Sequence, residues 1–171
     1  MKRDSQIGII GYGATAYEKK TSRSLFSFLS EAGRHAVDCA GLQFEDIDGL
    51  AISSFELPPD NTVTTAEQFG MSLSWAYLGT AGSAGPVASI INAVHAIETG
   101  QATTVLCLAG DNYDVGGHFK LMDNFIRCLR NYGTPLGFGG ANGLFGILQR
   151  KHMEIYGTRI QDFCRISSDQ R

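Results

Sequence analysis

The sequence lacks a long apolar run, a paired-cysteine motif and an excess of either charge. No stretch approaches the roughly 18 apolar residues that a membrane-spanning helix needs. The 14 Lys and Arg are matched by 17 Asp and Glu along the chain, for a formal charge of −3. That balance offers no basic surface for nucleic acid or an anionic membrane. The four cysteines, Cys39, Cys107, Cys128 and Cys164, stand far apart without a CxxC pair. They fit neither a disulfide frame nor a zinc site and read as thiols of a cytoplasmic protein. The opening MKRDSQIGIIGYG begins basic, but glycines break its apolar part too early for a secretory signal. In their place the chain has a hydrophobic fraction of 43%, enough for a core, and 21 glycines among 171 residues.

Hydrophobic periodicity alternates between two and 3.6 along the chain. Gln6–Gly13 reads as a short buried strand entering a glycine turn. Leu25, Phe28, Leu29, Ala32, Ala36 and Val37 then form a helical stripe that Gly41 closes. DGLAISS and LSWAYLG read as strands, with a short helix between them ending at Gly70. Val87, Ile90, Ile91, Val94 and Ile97 mark a buried helix over Pro86–Thr99, stopped by Gly100. TTVLCLAG, from Thr103 to Gly110, is a further buried strand. Strands alternating with helices predict crossover units and a mostly parallel sheet. Asp111–Pro135 reads as irregular or weakly helical. A longer helix carries Leu144, Ile147, Leu148 and Ile155, and the glycines of GFGGANGLFG point either to tight packing at its late start or to a loop over part of that segment. Thr158 and Gln161 match a capping box for the last helix. Residues 1–115 are expected to form an α/β core and 116–171 a loop and helical segment.

Several site motifs are excluded by spacing. GIIGYG reads GxxGxG rather than GxGxxG, and Asp46 and Asp48 precede the second strand instead of ending it. A nicotinamide site beside Gly11–Gly13 is therefore poorly supported. GSAG lacks the P-loop lysine, and Gly82 directly precedes Ser83, so the GxSxG elbow of hydrolases is absent as well. His95 follows Ser83 by three helical turns, too far to act as its base.

The order of segments carries a resemblance. IGIIGYGATAYEK, AGLQFEDIDGLAISS, AGSAGPVASIINAVHAIETGQATTVLCLAGD and the YGTPLGFGGANGLFG…YGT stretch are together similar to the N-terminal half of thiolases of the SCP-x, lipid-transfer-protein type. The resemblance implies a thiolase-like α/β half-fold. Its mostly parallel mixed sheet would have a buried helix on one side and outer helices on the other. Thiolases contain two similar halves, and the resemblance implies that this chain stops inside the first, with the C-terminal half absent.

By that resemblance, Ser83 stands where the family's nucleophilic cysteine stands. A helix N-terminus stabilises a thiolate. Its contribution of roughly 0.3–1 kcal/mol does not turn a serine into a comparable nucleophile without a base. Gly82, Ser83, Ala84 and Gly85, with His118 from a loop, are then expected to contact a coenzyme A thioester substrate, with no other cofactor and no metal. The implied reaction is thiolysis, or the retro-aldol cleavage of acyl-CoA side chains by cysteine-less relatives. The implied partners are a second thiolase-like subunit, as a homodimer or hetero-oligomer, and a small zinc-ribbon/OB-fold protein. Two alternatives stay open: a non-catalytic subunit supporting a catalytic partner, and an NAD-dependent oxidoreductase. Tyr77, Tyr113 and Tyr132 are present, but their spacing assigns none of them a catalytic part.

Overall fold

The computed structural model describes residues 7–55, 61–112, 116–117, 127–138 and 141–170. Two compact units are formed, Met1–Asn112 and Tyr113–Arg171. In the first, helix α1 (Leu25–Ala40) is followed by strand β1 (Gly49–Ser53), helix α2 (Asn61–Phe69), strand β2 (Trp75–Gly79), helix α3 (Gly85–Glu98) and strand β3 (Val105–Ala109). All pairings are parallel, in the order β2-β1-β3, with Gly49 opposite Trp75 on one side and Val105 on the other. β1 is central and buried at all five residues.

The alternation of β1 explains the layering. Leu50 and Ile52 point to one face, where they join Leu106, Leu108 and the α1 residues Leu25, Leu29 and Val37 in the core. The same face receives α2 through Ala66, and Phe69 stacks on Phe44 at 4.4 Å. Gly49, Ala51 and Ser53 point to the opposite face, which α3 covers. Their small side chains let the helix approach closely.

α1 begins with Ser24, whose Oγ accepts the Ser27 N–H at 3.2 Å, and ends at Gly41 with φ 69°. Gly70, Gly100 and Gly157 close α2, α3 and the later helix α4 in the same left-handed conformation. In the second unit, Leu129–Gly133 and Thr134–Leu136 are short helical turns, followed by α4 (Ala141–Tyr156) and α5 (Ile160–Asp169).

Four expectations are corrected. Ile7–Gly13 forms no strand; Ile9 is 81% exposed, and the segment instead packs on α1. A Cβ on Gly11 or Gly13 would collide with the carbonyl oxygens of Ala36 and Ala32. A strand needs a hydrogen-bonded neighbour, and none of β1–β3 pairs with this segment. α3 buries its small stripe, Gly85, Ser89, Ala93 and Ala96, and leaves Val87 61% and Ile91 51% exposed. The reason is steric: only the small stripe fits against the sheet. At α4, Gly143 is packed against Phe138, but no atom lies within 4 Å of a Cβ built on Gly146, so tight packing holds at one glycine of the two; Gly139 and Gly140 lie outside the described residues. α5 is capped by Arg159, whose backbone N–H donates to Asp162 Oδ2 at 2.9 Å, not by Thr158 and Gln161.

Candidate functional site

Parallel strands deliver their C-terminal ends to one side of a sheet, and a crevice opens where successive connections leave a strand in opposite directions. β1 is such a strand, with β2 on one side and β3 on the other. Beyond its end lies a cavity of about 250 Å³ lined by Ser53, Ser54, Phe55, Gly82, Ser83, Pro86, Ala109, Gly110 and Asp111. Three segments therefore converge: the end of β1, the end of β3, and the turn into α3. The Gly110 N–H donates to the Ser53 carbonyl at 3.3 Å, tying the two strand ends together. Asp111 holds the exit of β1, accepting from Ser54 Oγ at 2.8 Å and from the Phe55 N–H at 2.7 Å.

Gly82–Ala84 form one 3-10 turn leading directly into α3. Gly82 has φ 57°, a conformation that other residues adopt only with strain. Pro86 occupies the first turn of α3, where its missing N–H costs nothing. The N-cap, Ala84, supplies no side-chain oxygen; its N–H donates to the Ala81 carbonyl at 3.2 Å and the Gly85 N–H to the Gly82 carbonyl, so the turn satisfies these two amides itself. Ser83 is exposed at the cavity and makes no side-chain hydrogen bond to a described residue. The chain thus brings Gly82 and Ser83 to the cavity and Gly85 beneath it, against Ser53, while Ala84 faces solvent. His118 and Tyr113 lie outside the described residues. Tyr77 is on β2, stacked on Trp75 at 6.0 Å, and Tyr132 is exposed in the second unit. Among the described residues no group of His, Cys, Asp and Glu could hold a metal, and no helix is long and apolar enough to cross a membrane.

Sequence reading missed Ser53, Ser54, Phe55 and Asp111. They sit at strand ends distant in sequence from the glycine turn, and the gathering of parallel strand ends was the available signal. A larger groove of about 450 Å³ runs along α4 in the second unit, lined by Phe138, Ile147, Arg150 and Lys151 among others. Its two cations pair with Glu154, at 3.3 and 3.9 Å, so its charged groups are engaged with one another.

The four cysteines are exposed, Cys107 included, although as the register partner of Ala51 it lies on the α3 face of the sheet. Desolvation by its neighbours nonetheless pushes the Cys107 thiol up to about 11. Alkylation of Cys107 should therefore be slow at neutral pH and keep accelerating toward pH 11, followed by peptide mass spectrometry. A rate already at its plateau by pH 8 would contradict this.

With the site in view, the comparisons define a class. No family model matches the chain. A monomeric SCP2-thiolase-like protein of Mycobacterium smegmatis superposes with TM-score 0.54 over 76% of this chain and 30% of its own, at 19% identity. The fold is thiolase-like. Within that class, the Ltp2–ChsH2(DUF35) aldolase superposes with TM-score 0.69 at 28% identity, covering 88% of this chain and 38% of that one. The 17-hydroxy-3-oxo-4-pregnene-20-carboxyl-CoA lyase of Mycobacterium tuberculosis is 26% identical over 97% of this chain. The match spans 45% of that lyase, less than half its length.

Proposed function

We propose that the protein is an acyl-CoA-handling, thiolase-like component of a cytoplasmic enzyme that cleaves or forms a carbon–carbon bond, and that its direction is retro-aldol. The observation that carries this is the state of Ser83: it stands at a helix N-terminus without a hydrogen-bonded base. Thiolysis needs a covalent acyl-enzyme, whereas retro-aldol cleavage does not. Similarity to an aldolase and to a CoA lyase supports the same choice.

In that reaction a base removes the proton of a hydroxyl on the β-carbon. The Cα–Cβ bond breaks, the β-carbon becomes a carbonyl, and the electron pair passes into the thioester enolate. The N-terminus of α3 brings the positive end of its dipole to the cavity, which favours the negative charge that develops on the enolate. The cavity, at about 250 Å³, is smaller than the roughly 300–1,000 Å³ of typical ligand pockets, so it takes the thioester end and leaves the rest outside. A thiolase-like second subunit, or a small zinc-ribbon/OB-fold partner, supplies the base; a relative named for two components, Ltp2 and ChsH2, supports an assembly. Cysteine usage supports the cytoplasmic setting.

The test is turnover of a 3-hydroxyacyl-CoA by the protein purified with its native subunits. Retro-aldol cleavage releases a carbonyl product without consuming free CoA. Ser83→Ala should weaken turnover or binding modestly, by one hydrogen bond, about 0.5–1.5 kcal/mol. Gly82→Val should cost more, since a branched residue is strained at φ 57°. An acyl adduct on Ser83 that Ser83→Ala abolishes along with turnover would refute the reading. Activity retained in full by the partner alone favours the non-catalytic subunit, which the missing base at Ser83 also accommodates.

A further inference from the structure

Ser53 is the last residue of β1 and is only 5% exposed, yet it lines the cavity. Its hydroxyl makes no hydrogen bond to a described residue. The oxygen is not sealed in: it reaches the cavity, where water or a ligand can pair with it. The fold has also made room for this hydroxyl: a Cβ on Gly85 would collide with Ser53 Oγ, so the glycine at the start of α3 leaves the space that Oγ fills. Across β1 and β2, Gly79 lies between Ser53 and Ser89, and the Ser89 hydroxyl is fully buried without a partner. Packing alone accounts for small residues here, but not for polar ones.

We infer that Ser53 is a specificity-determining residue, whose hydroxyl pairs with an oxygen carried on the acyl chain close to the thioester. The inference rests on the reading of this cavity as a thioester site and deepens it, because it names the residue that recognises the oxygen of the acyl chain. A serine hydroxyl both donates and accepts, so it serves a ligand hydroxyl or carbonyl equally. A plain methylene in that position leaves Ser53 unpaired. Sites built to pair a substrate oxygen reject the analogue that lacks it more strongly than apolar pockets reject one methylene. Asp111 supports the arrangement from outside: by holding Ser54 and the Phe55 amide, it fixes the backbone that follows Ser53. Ser53 is thus aimed by the sheet, and the segment leaving it is held in place.

The experiment is calorimetric titration of the purified protein with 3-hydroxybutyryl-CoA, butyryl-CoA and CoA. Both acyl chains are short, and they differ only in the oxygen at issue. The wild type should bind the hydroxylated ligand about tenfold more tightly than butyryl-CoA, the scale of one hydrogen bond in a buried setting. Ser53→Ala should erase that preference by weakening 3-hydroxybutyryl-CoA alone. Ser53→Cys keeps the shape but donates weakly, and should lose most of the preference even where the alanine variant folds poorly. Equal affinity of the wild type for the two thioesters overturns the inference while leaving the thioester site intact. An equal loss of both ligands in the folded variants also overturns it, since that is what a packing role gives. If the wild type binds neither thioester, the cavity reading itself fails, and the assignment of Ser53 fails with it.

Discussion

Gly85→Ala should lower the stability of the protein by about 2–3 kcal/mol, the usual cost of overpacking a close contact. Elsewhere in a helix the same change is favourable by up to about 1 kcal/mol. Gly85 has φ −52° and needs no special backbone freedom, so the cost is purely steric. Its added methyl would fall on Ser53 Oγ and within 3.2 Å of Ser53 Cβ. Urea unfolding of Gly85→Ala, Ser53→Ala and the double variant closes a cycle. Most of the loss should return in the double variant, because the hydroxyl is the nearest obstacle. An unchanged midpoint for Gly85→Ala would mean that α3 shifts off the sheet at no cost, and the close approach would then not hold the helix in place.

Asp48→Ala should cost a similar amount, about 3 kcal/mol, for a different reason. Asp48 stands just before β1, and its carboxylate accepts from the Thr103 N–H and Oγ–H and from the Thr104 N–H, all at 2.9 Å. Its carbonyl accepts from Ser74 at 2.7 Å and Trp75 at 3.2 Å. One residue thereby fastens the starts of β2 and β3 to β1. Bonds to an ionised group are worth about 1.5–3 kcal/mol each, and some of that is recovered from water on mutation. Partial burial opposes ionisation of Asp48, but the Thr104 and Thr103 hydrogen bonds outweigh it and hold the carboxyl below its ordinary value. A carboxyl lowered in the folded state stabilises the fold above its unfolded value, about 3.9. That stability is lost as pH falls through the lower, folded value. The gap between wild type and Asp48→Ala should therefore be full at pH 7 and narrow below about pH 4. A gap that widens on acidification would show that the carboxylate is not the fastener.

The punctuation of this fold was legible in the sequence. Gly41, Gly70, Gly100 and Gly157 each close a helix at positive φ, and glycine is the residue that adopts that conformation cheaply. DGLAISS, LSWAYLG and TTVLCLAG became β1, β2 and β3 because short β-rich runs between such stops have few alternatives. The face of α3 was not legible from its large residues. Val87, Ile90 and Ile91 share a helical period with one another, but Gly85, Ser89, Ala93 and Ala96 have a period as good, and only the spacing of helix against sheet decides between the stripes. Ile7–Ile10 has the composition of a strand, and composition does not supply the neighbour that a strand needs. At the site, the turn Gly82–Gly85 could be read directly because it is contiguous. Ser53 and Asp111 are placed there by strand order, which local pattern does not encode.

The two ends of the five-residue strand β1 do different work. Asp48 fastens its beginning, and Ser53 shapes the cavity at its end. At about 3.3 Å per residue, roughly 17 Å of strand separates them. Substitutions more than about 7–10 Å apart, with no shared partner, usually act additively. The cavity rim can therefore be varied during evolution, or in a library at positions 53–55 and 109–111, while the fastening at 48 and 103–104 keeps a constant reserve of stability. A homologue with an altered acyl preference is expected to have changed at the far end of these strands and to have kept the near end.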